Sequence, residues 1–102
     1  MADDHWTVHR WWVPAELEGA FVRMWRALAE MLVAEGLMDN VSLLADADDN
    51  RARWTVLRWS SQTAWKAWRA DQQHRSIEDA MAALCERTQV HHITTVLTVG
   101  RR

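Results

Sequence analysis

A single imidazole, His9, lies inside the run Trp6-Thr7-Val8-His9-Arg10-Trp11-Trp12-Val13, among aromatic and β-branched residues. In an alternating strand His9 shares one side with Thr7, Trp11 and Val13. A partly buried imidazole on that side stays neutral and can accept a proton near neutral pH, which is the work of a general base. The same position also suits a histidine hydrogen-bonded for structure or left at a sheet edge.

A second cluster lies between Trp54 and Trp68, where four of the eight tryptophans fall. Thr55, Leu57 and Trp59 share one side of a strand, whereas Trp65 and Trp68, three apart, share one face of a helix. Flat apolar walls with a few polar groups are how aromatic ligands are held. We therefore expect Trp59, Trp65 and Trp68 as walls, Trp11 and Leu57 beside them, and Thr55, His74 and His92 as polar contacts. Trp12, Trp25 and Trp54 read as packing or interface residues.

Other chemistries find no support. No Ser-His-Asp or Cys-His spacing and no glycine-rich phosphate loop is present, and Cys85 on an apolar helix stripe reads as a small core residue. His91 and His92 are adjacent, so a regular strand sends them to opposite faces, where they cannot chelate one metal. The loop Asp46-Ala47-Asp48-Asp49-Asn50 lacks the central glycine and terminal glutamate of a calcium loop and reads as a solvated turn. His5 reads as a surface residue near the terminus.

These residues need elements to hold them. Trp6 to Val13 reads as a strand stopped by Pro14, which also fits the first turn of a helix. Leu17, Phe21, Met24, Trp25, Leu28, Met31 and Leu32 recur at helical spacing, and Gly36 supplies the stop. Leu37 to Ala45 and Arg53 to Trp59 read as a second and third strand joined by the acidic loop. Ser60 and Ser61 can cap a helix carrying Trp65 and Trp68. Asp71 to His74 interrupts the apolar pattern, Ser76 and Asp79 suggest a capping box for a helix through Glu86, and Val90 to Val99 reads as a fourth strand. The order β-α-β-β-α(α)-β predicts an α+β, ferredoxin-like split arrangement with an antiparallel sheet.

At 102 residues and 49% hydrophobic, the sequence predicts one domain over 1–102. Bulky residues alternate onto both sides of the first and third strands, yet this fold places helices on one face only. The other face then calls for a second subunit, giving a homodimer through the sheet. A net charge of −2, with eleven Arg and one Lys dispersed among acidic residues, gives no nucleic-acid footprint. No apolar run reaches membrane-spanning length, the acidic start lacks signal-peptide features, and a single cysteine suits a reducing cytoplasm.

A strand ending Trp59-Ser60-Ser61, then a helix with Ala64-Trp65 and Ala67-Trp68, then His74, resembles the antibiotic biosynthesis monooxygenase (ABM) family over Thr55 to His74. The resemblance implies a dimeric α/β barrel and cofactor-independent oxidation of a polycyclic aromatic, polyketide-like substrate by dioxygen, with no bound cofactor. In that reaction the protein removes an acidic proton and the carbanion passes an electron to dioxygen. It implies a catalytic role for Trp59, matching the family's tryptophan that closes the third strand; the base in that mechanism would be His9, read from its place in the strand. Trp65 and Thr55 stand where the aromatic-polyketide enzymes have Tyr and Asn. A heme-degrading branch offers an alternative. Trp68 matches its helix tryptophan, His9-Arg10 stands for its Asn-Arg pair, Glu78 occupies the axial-histidine position, and His74 is the nearby imidazole for iron. A non-catalytic ligand-binding domain of the same fold is the third reading.

Overall fold

The computed structural model describes residues 5–38 and 41–100. Four strands, β1 (His5–Trp12), β2 (Val41–Ala45), β3 (Ala52–Trp59) and β4 (Arg87–Thr94), form one antiparallel sheet in the order β2-β3-β1-β4. Helices α1 (Glu18–Ala34), α2 (Gln62–Ala70) and α3 (Gln72–Ala83) supply the second layer, and a single 3-10 turn at Ala15–Leu17 follows Pro14. The predicted ferredoxin-like order is the one observed.

Alternation decides the faces. His5, Thr7, His9 and Trp11 of β1 are buried on the helix side, whereas Trp6, Val8 and Arg10 are only half-buried on the other. The core joins Trp11, Leu57 and Trp59 from the sheet to Phe21, Leu28 and Leu32 of α1, Trp68 of α2 and Met81 of α3. Two buried indoles tie β1 to β3: Trp11 Nε1 donates to Thr55 Oγ1 at 3.2 Å and Trp59 Nε1 donates to Thr7 Oγ1 at 2.9 Å. Thr7 pairs with Leu57 and Trp11 with Arg53, so both bonds run diagonally and fix one register.

Local chemistry sets the boundaries and corrects three of the expected ones. Gly36, at φ 72°, closes α1; Gly36 N–H donates to Val33 O, and Leu37 N–H to Leu32 O. Leu37 and Met38 therefore finish the helix rather than start a strand, which begins at Val41; Asp39 and Asn40 of the expected strand lie outside the described residues. The polar stretch from Asp71 does not interrupt the helices for long. Asp71 Oδ1 accepts from Gln73 N–H and His74 N–H, so α3 starts at Gln72, four residues before Ser76. Strand β4 is shifted toward the N-terminus: Glu86 N–H donates to Trp12 O, and the ladder ends with Thr94 opposite His5. Val96, Leu97 and Val99 follow it as exposed residues.

The acidic loop is a fastening rather than a merely solvated turn. Asp46 Oδ2 accepts from Trp54 Nε1 at 2.8 Å and from Arg10 at 3.0 Å, and Asp49 accepts from Trp12 Nε1 at 3.2 Å. The Trp54 indole most of all, then the backbone N–H of Asp48, with Arg10 and the Asp49 N–H adding to them, hold the Asp46 carboxyl below its ordinary range.

Replacing Thr7 with the isosteric Val should strand the Trp59 N–H in the core at a cost of about 1–3 kcal/mol in urea unfolding. Adding Trp59→Phe to Thr7→Val should cost less than the two single changes summed, because the lost partner is then no longer missed. Strict additivity would show that this bond carries no coupling.

Candidate active site

Two of the spaces on the helix side of the sheet are lined by residues expected at the site. The inner one is a slot of about 10 Å³, floored by Thr7, His9, Trp11, Thr55 and Leu57, roofed by Trp25, Leu28, Ala29 and Leu32 of α1, and closed by Glu78 and Met81 of α3. It holds at most one water. The outer space is a cleft of about 450 Å³ lined by Thr7, Trp68, Arg69, Arg75, Glu78, Val90 and His92. That size falls in the usual range for small-molecule sites. Thr7 and Glu78 line both spaces.

The expected residues divide accordingly. His9, Trp11, Thr55 and Leu57 meet in the inner slot, while Trp68 and His92 meet in the cleft. Trp59, Trp65 and His74 line neither. Trp59 is 2% exposed and packs beneath Trp68, ring centroids 5.3 Å apart, so it supports the wall from behind. Trp65 packs on His5 in a tilted contact, ring centroids 4.0 Å apart, which buries His5 rather than leaving it at the surface. His91 and His92 face opposite sides, opposite Val8 and Thr7 respectively, as alternation requires.

His9 lies flat against Trp11, ring centroids 3.6 Å apart, with its Nε2 buried and without a hydrogen-bond partner among the described residues. Burial, and secondarily the charge of His92, pull its pKa down to about 4. The imidazole is therefore neutral at physiological pH and can accept a hydrogen bond, but it holds a proton weakly. His92 is itself shifted down by burial and by Arg69, His5 and His91, and its Nδ1 lies 3.4 Å from Thr7 Oγ1.

Glu78 is the functional candidate that reading for apolar periodicity passes over. It follows His74 by four residues and precedes Met81 by three, on the inward stripe of α3. Burial, with a smaller push from Asp79, raises its carboxyl to about 7. A group with that affinity can both take and return a proton at neutral pH. Its ten-residue spacing from Trp68 was the available signal.

His74, the imidazole expected for a heme, does not reach the cleft. His74 is buried with Nε2 2.8 Å from Glu35 Oε2 and Nδ1 3.9 Å from Asp71 Oδ2, so it bridges the end of α1 to the start of α3. No imidazole of α3 reaches the cleft, and Glu78 stands there instead. Glu35, Asp71 and His74 do come close enough together to be a metal-like cluster, but the two carboxylates sit at opposite ring nitrogens.

No family model matches the sequence, and no curated protein matches it significantly. Solved structures match closely. SnoaB of Streptomyces nogalater, a cofactor-independent oxygenase solved as a point mutant, superposes with a TM-score of 0.83 at 18% identity, covering 98% of this chain and 100% of that one. The chain has the antibiotic biosynthesis monooxygenase fold. Rv0793 of Mycobacterium tuberculosis matches with a TM-score of 0.80 at 15% identity, over 95% of this chain and 99% of that one. A Nitrosomonas europaea protein described as an antibiotic biosynthesis monooxygenase gives 0.78 at 16% identity, over 98% and 97%. Low identity with near-complete coverage shows a shared scaffold, and a shared scaffold does not carry the chemistry of the site.

Because Glu78 binds its proton more tightly when folded, at about 7 against an ordinary 4.5, its stabilising contribution is full below pH 4.5 and lost as pH rises to about 7. Glu78→Gln has no such loss. Its melting temperature relative to the wild type should climb between those two pH values and level off above them. A difference constant with pH would contradict the burial of this carboxyl.

Proposed function

We propose that this protein is a cofactor-independent monooxygenase that oxidises a flat, electron-rich, polyketide-like aromatic compound with dioxygen. The observation that carries the reading is a cleft of about 450 Å³ lined by Trp68 and His92 among charged groups, beside a slot holding a buried neutral imidazole, on the fold of a cofactor-independent oxygenase. Trp68 gives the substrate a flat wall and Val90 an apolar floor; Arg69, Arg75 and His92 offer donors to its oxygen atoms. His9 lies in the adjoining slot, which shares Thr7 and Glu78 with the cleft, and offers a neutral imidazole there. Trp59, Thr55 and Trp11 keep the wall rigid through the two indole-to-threonine bonds.

An activated C–H of the substrate loses its proton to the protein. The carbanion passes one electron to dioxygen, and the resulting radical pair combines to a peroxide. Loss of water from a methylene centre then leaves a ketone, so one CH₂ and one O₂ become one C=O and one H₂O. The protein supplies shape, orientation and the proton acceptor.

A dihydroxyanthrone such as dithranol has the required flat ring system and acidic methylene. Wild-type protein should accelerate its oxygen uptake above the protein-free rate, and His9→Ala should lose about 10- to 100-fold of that acceleration. Unchanged turnover in His9→Ala would remove His9 from the site. No protein-dependent uptake with dithranol or related anthrones would favour a ligand-binding role for the fold.

We further propose a homodimer, formed through the sheet face that carries no helix. Trp6, Val8, Trp54 and Val56 lie half-buried there, Leu44 and Ile93 are about half exposed, and the apolar Val96, Leu97 and Val99 extend beyond β4. Such a surface calls for cover. The 11.9 kDa chain should sediment as a dimer, and Val8→Asp, in the middle of that face, should shift it to monomer. A monomeric wild type at micromolar concentration would overturn this assembly.

A further inference from the structure

Resting on the oxygenase reading, we propose that Glu78 is the residue that meets the substrate and carries its proton, with His9 as a positioning residue behind it. The position of Glu78 argues for this before its charge does. A slot of about 10 Å³ cannot admit an aromatic ring, so His9 does not meet a substrate directly. Among the described residues only Thr7 and Glu78 face both the slot and the cleft, and a threonine hydroxyl already accepting from Trp59 and lying near His92 is no acceptor for a carbon acid. Among the same residues the Glu78 carboxyl has no hydrogen bond or ion pair, unlike Glu18, Glu35 and Glu86, which hold Arg53, His74 and Arg51.

The surroundings explain how one carboxyl serves both halves of the reaction. From β1 the slot presents His9, from β4 the cleft presents His92, from α2 Arg69, and α3 itself supplies Arg75 and Asp79; β3 and α1 contribute Thr55 and apolar side chains. Burial and Asp79 are the causes of the raised carboxyl, with neither guanidinium offsetting them. Glu78 therefore keeps a proton affinity suited to neutral pH while both arginines remain available to substrate oxygens. His9, whose Nε2 is buried without a partner among the described residues, lines the same slot as this carboxyl.

Protons and electrons balance across the cycle. The ionised carboxylate takes H⁺ from the substrate methylene, leaving the electron pair on carbon. After electron transfer to dioxygen and radical combination, the C–O–O⁻ group takes that proton back from Glu78. The second hydrogen of the methylene leaves as H⁺ as the O–O bond breaks, water departs, and the C=O bond forms. Glu78 ends ionised, as it began.

The test is the pH profile of dithranol oxidation by the full chain, measured as oxygen uptake for wild type, Glu78→Gln and Glu78→Asp, each corrected for protein-free oxidation. Wild-type kcat/KM should rise with pH through an apparent pKa near 7. Glu78→Gln should lose about 100-fold and lose that limb. Glu78→Asp should keep a limb with reduced rate, and all three should retain cooperative melting. A Glu78→Gln protein that melts cooperatively and keeps both the rate within about twofold and the limb overturns the proposal while leaving the oxygenase reading standing. If Glu78→Gln fails to fold, Glu78→Asp decides, a profile with no limb near neutrality counting against Glu78. Wild-type protein that adds nothing to the protein-free uptake overturns the oxygenase reading and, with it, this role.

Discussion

The need to satisfy two buried indole N–H groups governs the middle of this protein. Trp11 and Trp59 fill the space between sheet and helices, and each carries a donor that the apolar core cannot solvate. Thr55 and Thr7 answer them across the β1-β3 pair, on the same strand faces that floor the slot. The core and the site are therefore one structure. Thr7 links the Trp59 support to the cleft, and the Trp11-Thr55 bond holds the plane on which His9 lies.

Electrostatics follow from this arrangement. A histidine pressed onto an indole and cut off from water is kept neutral, and a carboxyl facing the same apolar roof is pushed toward protonation. Desolvation is the largest cause for both, and it moves the acid and the base toward their uncharged forms. At the rim of the cleft the conditions reverse: Arg69 and Arg75 stay exposed and charged, and Arg69 lies over the Trp65 ring at 4.8 Å. The site thus runs from a dry, neutral interior to a wet, cationic mouth. The other face of the sheet is organised differently, with Arg10 stacked between Trp12 and Trp54 and all three tied to Asp46 or Asp49.

Some of the fold was readable in advance because it depends on short-range periodicity. Leu17 through Leu32 repeats at helical spacing, and β1 alternates so regularly that both its faces could be assigned. The element ends were harder to read. Asp71 looks like a break because it is polar, yet in place it caps α3 and extends it backward; Leu37 looks like a strand residue because it is apolar, yet its N–H completes α1. In each case a hydrogen bond made by a backbone N–H, invisible to composition, decides the boundary.

By itself the sequence determined which residues face the same way: His9 with Thr7 and Trp11, Thr55 with Leu57 and Trp59, Trp65 with Trp68. Alternation and helical pitch are local properties, so no partner element is needed to know them. Only the tertiary structure decided how far each aromatic lies from open space. It put Trp59 under the wall, Trp65 against His5, and His74 between Glu35 and Asp71, and it left Trp68 and His92 on the cleft. Glu78 gained its place in the same way. A carboxyl on a helix is ordinarily solvated, and what makes this one unusual is the packing of α1, α3 and the sheet around it, a long-range arrangement that its ten-residue spacing from Trp68 does not by itself establish.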